Sequence, residues 1–163
     1  MKYYVAYGSN LNKRQMKYRC PNSSPLCAGE LRGYELLFKG SKTGSYATVE
    51  PKEGSSVPVG LWEISPMDEK NLDRYEGYPN FYYKKTVDVH TEFGILPAAM
   101  VYIMHEDRPL GIPSEHYVDV CLEGYDDFGL NKMEFYDALL TTAAKLGLHD
   151  DGYDHTLDYG EDF

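Results

Sequence analysis

The sequence predicts an α+β domain in which helices flank one strongly curved sheet or small barrel. Three observations lead there. Segments of strand-like alternation interleave with well-capped helical segments along the chain, no internal repeat or linker separates them, and 163 residues suffice for one real core but not for two.

The first strand comes from YYVAY at 3–7, where Tyr3, Val5 and Tyr7 alternate with Tyr4 and Ala6 as on a strand with two occupied faces. It breaks abruptly at Gly8, Ser9 and Asn10. Gly8 allows a turn with positive φ, Ser9 and Asn10 add side-chain donors, and Asn10 or Asn12 caps a helix running to about Arg19. A strand that empties through such a loop into a helix leaves several N–H groups pointing one way, which attracts anions. An ordinary strand-to-helix turn carries the same letters. The further glycines of a dinucleotide loop and the Gly-Lys-Ser/Thr of a P-loop are missing, so no nucleotide is implied.

CPNSSP at 20–25 reads as a loop, and LCAGELRGYELLFKG at 26–40 as a bent strand carrying Gly29 and Gly33, with a bulge or sharp bend there. YATVEP at 46–51 and VPVGLWEI at 57–64 read as two strands joined into a hairpin by the turn-rich KEGSS. SPMDEKNLDRYEG is the best-marked helix: Ser65 caps it, Pro66 takes the first helical position, acids fill the first turn, and Gly77 stands at the C′ place. FYYKKTVDVH at 81–90 and AAMVYIM at 98–104 supply two more strands separated by EFGILP. Ser114 starts a helix to about Tyr125; Asn131 and Glu134 form a capping box for another that ends before Gly147. The domain therefore spans 1–147, and 148–163 is a solvated, partly disordered acidic tail.

Composition narrows the function. A formal net charge of −10 opposes broad contact with phosphate backbones or anionic lipid, so neither nucleic acid nor a membrane surface is an expected partner. Apolar runs fall short of the roughly 18 residues of a membrane span. Cys20, Cys27 and Cys121 form no CxxC pair and read as reduced thiols of a cytoplasmic protein. The five histidines show no HExxH or other short ligand spacing, so no metal is expected. The 16 tyrosines either pad a small sheet with a wet edge or, in part, line a cleft and lend hydroxyls to a polar ligand.

Glu76 is the candidate for proton chemistry. At the last turn of its helix the macrodipole's negative end disfavours a second negative charge, and burial among the neighbouring tyrosines would add the larger push. A carboxyl raised from about 4.3 toward neutrality can take and return a proton at physiological pH. An exposed glutamate at a helix end is the plainer alternative.

Several dispersed motifs then occur in one register: YGSNL at 7–11, ATV at 47–49, VGLWEI at 59–64, LDRYEG at 72–77 with the tyrosine-rich strand after it, AMVYIM at 99–104, PSEHY at 113–117 and GLNKMEFYDAL at 129–139. In these the chain resembles the γ-glutamylcyclotransferase-like (AIG2-like) family over most of residues 3 to 146. The resemblance implies a small mixed-sheet β-barrel flanked by helices. It implies a substrate-binding loop of Tyr7, Gly8, Ser9, Asn10 and Leu11, extending to Asn12, with Glu76 as general acid/base and Tyr117 reaching the ligand. It further implies cyclisation of a γ-glutamyl group to 5-oxoproline with release of an amine, without cofactor or metal. The partner would be a small γ-glutamyl substrate. The leaving group stays open between a dipeptide's amino acid, a γ-glutamyl-ε-lysine fragment and an antibiotic-type amine. A non-catalytic module of the same fold, binding a small carboxylate or amine, is the second reading. The residues suit the first: ring closure is intramolecular, so no protein nucleophile is needed, only a held conformer and a proton carrier.

Overall fold

Strand β1 (Lys2–Ala6) starts a sheet that closes on itself in the computed structural model, which describes residues 1–41 and 44–147. A 3₁₀ turn (Ser9–Leu11) and helix α1 (Lys13–Arg19) follow, then strands β2 (Ser24–Ser41) and β3 (Gly44–Ile64). Helix α2 (Pro66–Tyr75) leads to β4 (Tyr82–Thr91) and β5 (Gly94–Met104), and helices α3 (Glu115–Phe128) and α4 (Lys132–Lys145) complete the domain. The strands close in the order β1-β3-β2-β4-β5. Neighbours run antiparallel except where β5 returns to β1, a parallel contact at Tyr4 and Met100 that makes the barrel mixed. The acidic segment 148–163 lies outside the described residues.

The main correction concerns β3. The two strands expected at 46–51 and 57–64 are one continuous strand, and KEGSS is no hairpin turn. Both halves pair with β2, and the turn letters are absorbed by a bulge: Arg32 faces Ser56, Tyr34 faces Pro51, and Gly33 and Gly54 both take φ of +82°. Turn-favouring residues can bend a ladder without reversing it. The real hairpin is β2–β3, tipped where Ser41 pairs with Gly44. The separator EFGILP is shorter than expected, because β5 already begins at Gly94 and Ile95 pairs with His90.

Capping follows the sequence closely. Ser65 and Asp68 form a reciprocal capping box on α2, Glu76 is its C-cap, and Gly77 follows with φ of +64°. Asn12, rather than Asn10, caps α1 by accepting from Gln15 N. Asn131 caps α4 through Met133 N, so the expected box with Glu134 does not form.

The core fills the barrel and the seams beneath the helices, with Val5, Val59, Leu61 and Met104 fully inside. Helix α4 lies on β2 through an edge-on contact of Phe135 with Phe38. Helix α3 sits against the 3₁₀ turn so closely that a Cβ on Gly124 would stand 2.7 Å from Asn12 N and from the Leu11 carbonyl carbon. Helix α1 meets α2 where Cys20 Sγ donates to Asp68 O and Asn22 N to Asp68 Oδ1. These contacts bring the loop after β1 and the end of α2 to the same rim.

Candidate active site

A cavity of about 220 Å³ opens at that rim. Its floor comes from Tyr4 and Tyr7 of β1 and the turn Gly8, Ser9 and Asn10; its walls come from β3, β4, β5, α3 and the end of α2. Glu76 enters as the C-cap of α2, its amide bound to Leu72 O at 2.8 Å. The side chain stays partly exposed toward the cavity.

Asn10 ties the two halves together. Its Nδ2 donates to Glu76 Oε2 at 3.2 Å and to Tyr4 Oη at 2.9 Å, while its carbonyl accepts from Trp62 Nε1 at 3.0 Å. Its Oδ1 accepts from Arg19 Nη1, which also donates to Ser9 Oγ at 3.2 Å. The 3₁₀ turn consumes the amides of Leu11 and Asn12, which donate to the carbonyls of Gly8 and Ser9. The amides of Gly8, Ser9 and Asn10 have no acceptor among the described residues.

Gly8 serves by its lack of bulk. Its φ is −127°, so the positive value expected from the sequence is not adopted. A Cβ there would stand 2.8 Å from Tyr117 Oη and 3.2 Å from Ala47 Cβ. Tyr117 Oη accepts from Ala47 N at 3.0 Å, so its own hydrogen is directed elsewhere. Two further hydroxyls brace the walls: Tyr7 Oη donates to Tyr102 O at 2.6 Å and Tyr82 Oη to Ala47 O at 2.8 Å.

Desolvation pushes the Glu76 carboxyl up to about 7, against the opposing pull of the Arg19 charge and the Asn10 hydrogen bond. Burial also drives Tyr4, Tyr7, Tyr82 and Tyr117 well above the usual phenol range, so they act as neutral hydrogen-bonding groups. Among the described residues that line the cavity, Glu76 thus supplies a carboxyl that ionises near neutrality, beside the turn of Gly8, Ser9 and Asn10. Among the described residues no cluster of three or more His, Cys, Asp or Glu side chains could hold a metal, and no helix is long and apolar enough to cross a membrane.

Of the residues expected from the sequence, Tyr7, Gly8, Ser9, Asn10, Glu76 and Tyr117 line this cavity. Leu11 and Asn12 do not. Leu11 is fully buried under Gly60 and Gly124, and Asn12 turns its amide away to Val120 O at 3.0 Å while capping α1. Sequence reasoning missed Tyr4, Tyr75, Tyr82, Tyr102 and Arg19. The abundance of tyrosine hinted at the first four; nothing in the sequence marked Arg19.

Fold and site together define a small mixed-barrel protein in which the Glu76 carboxyl and the turn after β1 share one cavity. The chain belongs to the family described as gamma-glutamyl cyclotransferase, AIG2-like, whose model matches residues 4–119. It is 30% identical over 146 residues to the gamma-glutamylcyclotransferase of Homo sapiens, spanning 83% of this chain and 76% of that one. To the protein of the same name from Mus musculus it is 28% identical over 137 residues, spanning 78% and 71%. A solved structure named gamma-glutamyl cyclotransferase superposes with a TM-score of 0.76 at 27% identity over 85% of both chains. The expected barrel flanked by helices is the architecture observed.

Proposed function

We propose that the protein cyclises a γ-glutamyl group to 5-oxoproline and releases the attached amine or amino acid, with Glu76 as general acid/base. The observation that carries this reading is the Glu76 carboxyl, raised to about 7, sharing one small cavity with the free amides of Gly8, Ser9 and Asn10. The substrate's α-ammonium gives a proton to the Glu76 carboxylate, and the freed nitrogen attacks the γ-carbonyl carbon to close the ring. A C–N bond forms and an oxyanion develops on the carbonyl oxygen. Glu76 then returns that proton to the departing nitrogen as the original C–N bond breaks, and the second proton that the ring nitrogen must shed passes through the same carboxylate to the released amine, which leaves as an ammonium, so atoms and charge balance without water. The three amides hold negative charge, either the substrate's α-carboxylate or the oxyanion. The Tyr117 hydroxyl, its lone pair engaged by Ala47 N, donates to the ligand. We place the protein in a reducing, cytoplasmic setting, in keeping with three unpaired cysteines of which Cys20 and Cys121 are buried.

Glu76→Gln keeps the side chain's size and removes its titration. Incubating wild type and variant with a panel of γ-glutamyl amino acids and γ-glutamyl amines, and measuring 5-oxoproline by mass spectrometry, tests the reading. Turnover by the wild type, lost in the variant while calorimetry still registers binding, is the expected result. An unchanged rate in the variant removes Glu76 from the chemistry. Binding without product by the wild type identifies a binding module instead.

A further inference from the structure

Arg19 is not among the residues that line the cavity, yet it bonds two that are, Ser9 and Asn10. It ends α1 with its guanidinium stacked 3.5 Å above the centre of the Tyr75 ring, and Tyr75 immediately precedes Glu76. From there Nη1 donates to Ser9 Oγ and to Asn10 Oδ1. A guanidinium can only donate, and an ionised carboxylate can only accept. An asparagine amide spanning the two has a single orientation that makes both bonds, with oxygen toward Arg19 and nitrogen toward Glu76. That orientation is the one observed.

The ionisable groups close enough to act electrostatically on the Glu76 carboxyl come from five elements. They are Tyr4 and Tyr7 from the β1 side, Arg19 and Cys20 at the end of α1, Tyr75 from α2, Tyr82 from β4 and Tyr102 from β5. Burial raises the phenols and the thiol away from ionisation, so at neutral pH Arg19 is the charged member of this set. Its charge acts against the desolvation that favours protonated Glu76.

We propose that Arg19 is a positioning residue for the Glu76 proton shuttle: clamped on Tyr75, it locks the Asn10 amide so that Nδ2 occupies Glu76 Oε2 and Oε1 is left to meet the substrate. The proposal rests on the role given to Glu76 above. Arg19 acts along two routes, through the amide and through its own charge. Without it the Asn10 amide can rotate, present its oxygen to Glu76 and thereby hold the carboxyl in its protonated form.

The test is a titration of the Glu76 carboxyl carbon by NMR in protein carrying ¹³C-labelled glutamate, the resonance being assigned by its absence in E76Q. The midpoint is compared among wild type, Arg19→Met, Arg19→Lys, Asn10→Ala and the Asn10→Ala/Arg19→Met double variant, and kcat/KM against pH is recorded alongside. R19M is expected to raise the midpoint by about one pH unit. It should lower kcat/KM about tenfold at about pH 6 and leave the alkaline plateau within about threefold of wild type. R19K, which keeps the charge, should recover much of the shift. In the N10A background R19M should move the midpoint less, because the amide route is already gone. An unmoved midpoint in R19M overturns the proposal, and an equal shift in both backgrounds overturns the amide route. If R19M does not fold, Arg19→Gln isolates the charge route, because its amide can still donate to Asn10: an unmoved midpoint in R19Q removes that route, and an N10A midpoint equal to that of wild type removes the other. The NMR midpoint needs no turnover, so a wild type that makes no 5-oxoproline sinks the cyclotransferase reading and still leaves the coupling of Arg19 to Glu76 measured.

Discussion

Asn10 Nδ2 and Glu76 Oε2 stand 3.2 Å apart although 66 positions separate the two residues in the chain. The contact holds because β1 is pinned to β3, from Lys2 with Ile64 to Ala6 with Gly60, and α2 begins directly after β3 ends. One ladder therefore fixes the start of both arms that reach the cavity.

Activity should depend on a single group ionising near neutrality. The Glu76 carboxylate must be charged to accept the first proton, so kcat/KM should rise with pH through about 7 and fall about tenfold per unit on the acid side. A kcat/KM profile from acid to alkaline pH checks this; an acid limb centred in the ordinary carboxylate range would contradict it.

The same displacement predicts a stability effect. The folded state holds the Glu76 proton up to about 7 while the unfolded chain releases it near 4.5, so stability from this group is fully present below 4.5 and is lost as pH rises through 7. E76Q should therefore be more stable than wild type at alkaline pH, by at most about 3 kcal/mol and less because the side chain stays partly exposed. At acid pH the two should match. Urea melts at both pH values measure the difference.

Gly8→Ala should damage function more than folding. The added methyl meets Tyr117 Oη and Ala47 Cβ and displaces the hydroxyl that Ala47 N engages. A loss of about tenfold to a hundredfold in kcat/KM is expected from misplacement of about 1 Å. The accompanying change in stability, about 1–2 kcal/mol, is the scale of modest overpacking.

Gly124→Ala should act in the opposite proportion at first order. Its Cβ would press on the backbone of Leu11 and Asn12, which cannot swing aside as a side-chain tip can. A destabilisation of about 1–3 kcal/mol, read as a fall of several degrees in Tm, is expected. Activity should follow, because the displaced backbone carries the cavity floor.

Legibility in the sequence tracked how local each cause is. Ser65, Pro66 and Gly77 delimit α2 because capping is decided within one turn of chain, and that alone placed Glu76 at the helix end. The break after Tyr7 was equally visible. The single strand β3 was not, since KEGSS is compatible with a reversal or a bulge and only pairing of both flanks with β2 decides between them. Tyr82 and Tyr102 could not be told from core tyrosines, because a cavity assembled from six strands and helices and the 3₁₀ turn leaves no local signature. Arg19 was invisible for the same reason: its partners are Ser9, Asn10 and Tyr75, and the last of these lies on another helix.

The bulge at Gly33 and Gly54 divides β3 into stretches with different company. Its C-terminal half has β1 on one side and β2 on the other, whereas residues 44–51 have β2 as their extended ladder partner and gain support from the Met104 amide bonded to Thr48 Oγ1. Amide deuteration along this strand should accordingly proceed in two tiers, the 57–63 stretch opening only with the whole barrel and the 44–51 stretch exchanging through smaller excursions. Tyr46 and Ala47 belong to the faster tier, so the wall of the cavity can breathe on a free-energy scale separate from that of the scaffold beneath it.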